Sequence, residues 1–111
     1  MQIVIQARNL ELTRSLRGHA MRRLKFALGN YYQQIQRILV RLTDINGPRG
    51  GYDKRCHIEV IMPRLANVVI EDTEDNAYLA ISRAVERAGR TVARKVARER
   101  KLSQRMLPEP S

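Results

Sequence analysis

The chain has a single cysteine, Cys56, among its 111 residues. A lone cysteine excludes an internal disulfide, and the opening segment MQIVIQARN has a strand-like pattern without the apolar core of a signal peptide. We therefore expect a protein of the reducing cytoplasm. No apolar run in the sequence approaches the roughly 18 residues that a membrane-spanning helix needs, so we expect a soluble protein without a membrane partner.

Acidic residues are scarce. Only 11 Asp and Glu residues oppose 21 Lys and Arg residues, which gives a formal net charge of +10. So large a charge on a short chain favours a polyanionic partner, with nucleic acid ahead of an acidic membrane surface. The length suits one domain with a modest core and is too short for a second folded module. We predict a domain over residues 1–102 and a flexible tail over residues 103–111.

The groups that an enzyme needs are also lacking. Cys56 and His57 are adjacent, but a strand directs neighbouring side chains to opposite faces, so they cannot act as a pair. We expect Cys56 to be a buried structural residue. The two histidines, His19 and His57, lack the spacing of a metal site and are expected on the surface. The glycines of Asn46–Gly51 are followed neither by Gly-Lys-Ser/Thr nor by a helix, as a phosphate-binding loop requires. The sequence predicts no catalytic residue, metal, cofactor or small-molecule substrate.

The chain does contain one long amphipathic helix, predicted from Thr73 to about Lys101. Asp72–Asp75 supply a side-chain cap and negative charge at its start. The apolar pattern stops after Val96, so we expect the last turn or two to project beyond the body. At 100° per residue, its apolar and basic residues form two arcs centred about 140° apart. The apolar arc consists of Ala77, Ile81, Ala84, Val85, Ala88, Val92 and Val96. The basic arc, here called the basic stripe, consists of Arg83, Arg87, Arg90, Arg94, Arg98 and Lys101.

Four strands and a shorter helix are predicted before the long helix. Residues 2–8 alternate between apolar and polar and form the first strand, and Thr13 caps a helix that ends near Leu28, closed by Gly29-Asn30. Alternation predicts further strands over residues 35–45 and 54–62, and a short strand lies around Val68–Ile70.

This order, β-α-β-β-β-α, predicts an α+β fold. A strand–helix–strand connection gives parallel strands, whereas the short connections that follow favour antiparallel neighbours. We therefore expect two layers, a four-stranded mixed sheet with both helices packed on one face. Asn46–Asp53, rich in glycine, predicts a long basic hairpin loop between the second and third strands. The outer sheet face would carry residues that tolerate water, namely Arg37, Arg41, Arg55, His57 and Glu59.

Helix 1 is basic without any acidic residue. Its cations are Arg14, Arg17, Arg22, Arg23 and Lys25. If both helices lie on one side of the sheet, their outward faces would form one cationic surface, which predicts polyanion binding because solubility alone favours mixed signs. The topology lacks the helix-turn-helix of a major-groove reader, so DNA is not expected, and broad phosphate contact suits structured RNA. Phe26, Tyr31 and Tyr32 are candidates either for stacking on bases or for packing under the sheet edge.

At this point the chain resembles the ribosome hibernation-promoting factor and ribosome-associated inhibitor A family, once called sigma-54 modulation proteins. The resemblance lies in the opening MQIVIQARNLELTRSLR, the pair RL later in that helix, the strand ILVRL and the opening EDNAYLAI of the long helix. It covers about residues 1–101. Asn76 and Ala77 depart from the acidic pair and Met that are usual in the family, whereas Tyr78, Ala80 and Ile81 keep its pattern.

The resemblance implies a domain that binds the small ribosomal subunit in the channel for messenger and transfer RNA and blocks translation in stressed or resting cells. We expect a short form, because no C-terminal dimerisation domain follows. The residues placed by the resemblance at positions facing ribosomal RNA are Arg17, Arg23, Arg87, Arg90, Arg94 and Arg98. Arg22, Lys25, Arg83 and Lys101 belong to the same predicted surface. A regulatory protein-binding module and a general structured-RNA-binding protein are the alternatives, and an enzyme acting on RNA is a third.

Overall fold

The computed structural model describes residues 1–46 and 53–106. Its elements follow the predicted order β-α-β-β-β-α, which confirms the α+β fold. The elements are β1 (Gln2–Arg8), α1 (Arg14–Leu28), a 3-10 turn (Gly29–Tyr31), β2 (Arg37–Asp44), β3 (Lys54–Ile61), β4 (Val68–Glu74) and α2 (Ala77–Met106).

The four strands form one mixed sheet in the order β1-β2-β3-β4. As predicted, β1 and β2 are parallel, whereas β2 with β3 and β3 with β4 are antiparallel. One row of the register runs through Ile5, Val40, Ile58 and Ile70, and all four side chains are buried. Because strand residues alternate between faces, this row marks the face on which the helices pack.

The core lies between this sheet face and the two helices. On α1, the 3–4 spacing buries Leu16, Ala20, Leu24 and Leu28, whereas Ala27, predicted to be buried, is half-buried. On α2, the members of the apolar arc from Ile81 to Val96 are buried, and Ala77 is half-buried. The two helices approach closely at Gly89, where an added Cβ would lie 3.4 Å from the Cβ of Ala27. Both helices therefore lie side by side on one face, as predicted.

The outer sheet face is polar over the predicted positions. Arg37, Arg41 and Arg55 are exposed, and His57 and Glu59 are half-buried. The Nδ1 atom of His57 lies 3.2 Å from Oε2 of Glu71, its register partner on β4.

The start of the long helix differs from the prediction. Asp72 and Thr73 belong to β4, and the helix begins at Ala77. Its cap is Asn76, whose Oδ1 accepts hydrogen bonds from the amides of Tyr78 (2.8 Å) and Leu79 (3.3 Å). The polar residues 72–74 favour a helix start locally, but their backbone pairs with β3 as far as Glu74, and this long-range pairing prevails. The cap of α1, in contrast, is Thr13 as predicted, with Oγ1 accepting from the amide of Leu16 at 3.1 Å.

The first helix ends at Leu28 with Gly29 as its C-cap, as predicted, whereas α2 extends beyond its predicted end. Gly29, expected to close α1, keeps a right-handed conformation with φ −60°, and the chain continues into the 3-10 turn. The second helix, α2, runs to Met106, so residues 103–106 are helical although a flexible tail was predicted from Ser103. Residues 97–105 are all exposed, which confirms that the end of the helix projects from the body.

The base of the β2–β3 hairpin is held by main-chain and charged groups. The amide of Ile45 donates to the carbonyl of Asp53 at 2.8 Å. The ammonium of Lys54 lies 2.7 Å from the buried carboxylate of Asp53 and 3.3 Å from that of Asp44. The hydrogen bond to Asp53 raises the pKa of Lys54. Most of the predicted basic loop, residues 47–52, lies outside the described residues.

Candidate nucleic-acid interface

The side chains predicted to bind RNA are all exposed. They belong to α1 and α2, which lie on one side of the sheet, so the outer sheet face contributes none of them. The predicted set is Arg17, Arg22, Arg23, Lys25, Arg83, Arg87, Arg90, Arg94, Arg98 and Lys101.

A polar contact, here called the helix seam, joins α1 to α2. Nε2 of His19 lies 2.9 Å from Oγ of Ser82, and Nε of Arg23 donates to the same oxygen at 3.2 Å. The hydroxyl of Tyr78 donates to Oγ of Ser15 at 2.9 Å, and its ring meets the His19 ring edge-on at 5.1 Å. The seam thus fixes the direction of the Arg23 side chain. The prediction that His19 lies on the surface is wrong, because the side chain is half-buried between the helices.

Sequence reasoning did not find the seam because its partners are about sixty residues apart. His19 and Ser82 are separated by 63 positions, as are Ser15 and Tyr78. Each residue alone gives no signal. The spacing of Ser15 and His19, and of Tyr78 and Ser82, places each pair on one helix face, which is the only local hint.

The basic stripe faces away from the helix seam. On α2, the residues with contacts to α1 include Tyr78, Ser82 and Gly89. At 100° per residue the mean direction of these three lies roughly 140° from the centre of the stripe. The stripe therefore occupies the flank of α2 that looks toward solvent and toward β4.

Contacts with β4 tether the N-terminal part of the stripe. Nε of Arg83 lies 3.2 Å from Oε1 of Glu74. Nη1 of Arg87 donates to the carbonyl of Glu71 at 2.7 Å and lies 3.5 Å from Oδ2 of Asp72. Exposed ion pairs of this kind contribute at most about 1 kcal/mol each. Their effect on the local field matters more, since the acidic side chains of β4 offset these two guanidinium charges.

The C-terminal part of the stripe is not offset in this way. Arg90, Arg94, Arg98 and Lys101 are exposed, and within residues 1–46 and 53–106 none of them forms an ion pair. Between Arg90 and Arg105 the only acidic residue is Glu99. The cations of that segment are Arg90, Arg94, Lys95, Arg98, Arg100, Lys101 and Arg105. The positive field is therefore concentrated on the C-terminal half of α2, whose residues 97–105 project from the body.

A polar cleft of about 500 Å³ lies where α2 leaves the sheet. The turn after α1, the β3–β4 connection and α2 form its walls. Its lining residues are Gln33, Gln34, Pro63, Arg64, Leu65, Val96, Glu99 and Arg100.

The aromatic residues after α1 are divided between surface and core. The ring of Phe26 is 88% exposed and that of Tyr32 is 58% exposed, so neither packs under the sheet edge. Tyr31 is partly buried and packs against the core. Of the two alternatives left open by the sequence, packing therefore applies to Tyr31 alone.

Cys56 and His57 lie on opposite faces of β3, as predicted. Cys56 is fully buried, and its burial, together with the negative charge of Asp72, raises the pKa of the thiol to about 12. The thiol is thus protonated and shielded at neutral pH. In the described part of the chain no three His, Cys, Asp or Glu side chains form a group able to hold a metal ion. Nor does any helix within those residues have the length and apolar character to cross a membrane.

Comparisons with known proteins agree with this architecture. A family model described as sigma 54 modulation protein / S30EA ribosomal protein matches residues 3–100. The crystal structure of the N-terminal domain of Protein Y from Thermus thermophilus is 29% identical, with a TM-score of 0.67 over 85% of this chain and 98% of that one. A ribosomal subunit interface protein from Coxiella burnetii shares the fold at 13% identity, with a TM-score of 0.74 over 87% of this chain and 99% of that one. Curated protein sequences gave no match.

Proposed function

Because the chain belongs to the sigma 54 modulation protein / S30EA ribosomal protein family, a family of ribosome-associated proteins, we propose that it is a translation inhibitor that binds ribosomal RNA in the small-subunit channel for messenger and transfer RNA. The main support for this RNA surface is the C-terminal half of the basic stripe, whose four cations are exposed and form no ion pair within the described residues. A ribosomal partner places the protein in the cytoplasm.

The mechanism is electrostatic occupancy without a chemical step. Each Lys or Arg that meets a phosphate releases condensed counterions, and this release supplies affinity. The 30 residues of α2 form a rod of about 45 Å at 1.5 Å per residue. A rod with one cationic flank suits a channel walled by phosphates, because it can contact several backbone segments at once.

The first helix would extend this contact beside the rod. Arg17, Arg22 and Lys25 are exposed on α1, and the helix carries no acidic residue. Arg23 is oriented by Ser82, so less side-chain freedom is lost when its guanidinium meets a phosphate. The helix seam holds the two basic surfaces at a fixed separation, which favours recognition of RNA by shape.

A regulatory protein-binding role is the second candidate, and one observation favours it. Val69 is 57% exposed on the outer sheet face, in a register row that also holds the half-buried Val4, Leu39 and Glu59. A protein partner seated there would bind through apolar contacts with weak salt dependence. The basic stripe lies on the other side of the sheet and would be unused.

Co-sedimentation with isolated ribosomal subunits tests the proposed function. We expect the protein to bind small subunits and to be displaced by messenger RNA together with transfer RNA, because all three would occupy one channel. Large subunits are the control and should bind only weakly. Binding to small subunits that is insensitive to messenger and transfer RNA would contradict occupancy of the channel, and equal binding to both subunits would contradict a specific site.

A further inference from the structure

Phe26, the only phenylalanine of the chain, belongs neither to the core nor to the helix seam. Its ring is 88% exposed on α1, whereas the neighbouring Leu24 and Leu28 are fully buried. An aromatic ring left in water contributes little to folding. Aromatic side chains, Phe among them, are enriched in the cores of binding interfaces relative to the rest of a protein surface.

The surroundings of Phe26 indicate what it would bind. On a helix, the neighbours of a side chain lie three and four positions away, which here are Arg22, Arg23, Gly29 and Asn30. The two arginines are exposed, the guanidinium of Arg22 lies over Gly18, and Arg23 is held by Ser82. Phe26 thus has two cationic residues one turn before it and small or neutral residues one turn after it, on a helix without an acid.

This combination suits an RNA nucleotide better than a protein side chain. A nucleobase offers a flat π-face for the ring, and its own phosphates offer charges for the flanking arginines. The base must be unpaired, because bases inside an A-form duplex are covered by their stacked neighbours.

We propose that Phe26 is a stacking platform for one unpaired nucleobase of the bound RNA, with Arg22 and Arg23 on the adjacent phosphates. This inference rests on the proposed function. It adds to that function a contact that depends on base exposure and not on charge. Since every base has a π-face, the platform selects an unstacked nucleotide without selecting its identity.

The variant Phe26→Ala separates stacking from charge. The side chain is almost fully exposed, and Ala is the best helix former, so the fold should be unaffected. We expect its affinity for isolated small subunits to fall between about fivefold and a hundredfold, as for the loss of one stacked base. The salt dependence of binding should not change, because no phosphate contact is lost. Phe26→Tyr keeps a ring and should bind like the unaltered protein. Leu79→Ala, which shortens an exposed apolar side chain on the other helix, is the matched control and should have no effect.

Acylation of RNA 2′-hydroxyls, which reports nucleotide mobility, gives a second readout on the same complexes. We expect one unpaired nucleotide to be protected by the unaltered protein and by Phe26→Tyr, and to become reactive with Phe26→Ala. Affinity of Phe26→Ala equal to that of the unaltered protein would overturn the inference. Lost affinity without a change at any nucleotide would also overturn it, by indicating contact with a ribosomal protein. Failure of the unaltered protein to bind small subunits would instead refute the proposed function itself.

Discussion

At the scale of single residues, strand period and burial decide what the chemically reactive side chains can do. Adjacent positions on β3 send Cys56 into the core and His57 to the outer face, where it meets Glu71. A pair of groups that looks like a nucleophile and base in the sequence is therefore divided by the sheet. Any inhibition of translation by this protein should not depend on either group.

Replacing Cys56 with Ser and, separately, His57 with Gln tests this division. Cys56→Ser buries a hydroxyl in an apolar site and should lower the free energy of unfolding by about 1–3 kcal/mol. His57→Gln should change it by at most about 0.5 kcal/mol. Denaturant unfolding measures both changes. The affinity of each folded variant for small subunits should stay within about twofold of the unaltered protein. A large loss of affinity in a variant that is still folded would show that this pair takes part in function.

Residue contacts were predictable where they are local and unpredictable where they are not. The alternation that buries Ile38, Val40 and Leu42 can be read from residues adjacent in the sequence, and so can the Thr13 cap. The contact between His19 and Ser82 depends on how two helices lie across a sheet, and 63 intervening residues hide it. Without it, the orientation of Arg23, which the sequence predicts to face RNA, could not be foreseen.

At the scale of elements, the wrong prediction for the start of α2 shows that pairing between strands is stronger than a local helix-cap signal. The run Asp72–Asp75 has the composition of a helix cap, but Asp72 and Glu74 are used to complete the β3–β4 ladder. Pairing between strands cannot be computed from one segment, because it depends on the register of its neighbour. The extended β4 strand also affects the candidate site, because it supplies the acceptors that tether Arg83 and Arg87.

Substitution of the observed cap tests the corrected helix start. Asn76→Ala removes the side-chain acceptor for the amides of Tyr78 and Leu79, and should lower the free energy of unfolding by about 1 kcal/mol. Asp75→Ala is the matched control, since Asp75 is exposed and precedes the cap, and its effect should be smaller. Thermal or denaturant unfolding measures both. If Asp75→Ala were the more destabilising variant, the cap would lie where the sequence had placed it.

At the scale of the whole molecule, the two faces of the sheet differ in kind. The helix side combines tethered arginines near β4, an oriented Arg23 at the seam and the C-terminal half of the stripe, from Arg90 to Lys101. The outer side mixes arginines with Glu59 and Glu71, and carries exposed Val69. The sequence predicted which residues lie on each side. It could not show that the stripe is divided into a neutralised and a free half, because that division arises from the β4 contacts.

The most direct test of the account is the salt dependence of binding to small subunits. Changing Arg90, Arg94, Arg98 and Lys101 to Gln removes the free half of the stripe, and the exposed positions together with the good helix propensity of Gln should preserve the fold. Each lost phosphate contact should make the slope of log affinity against log salt shallower by roughly 0.7–0.9.

The control changes the same number of arginines, all exposed, on the outer sheet face, at Arg8, Arg37, Arg41 and Arg55. We predict that the stripe variant loses up to about 3 units of slope and most of its affinity at physiological salt, while the sheet-face variant keeps both. The reverse result, with slope and affinity lost only in the sheet-face variant, would show that RNA binds the open sheet and would contradict the central claim.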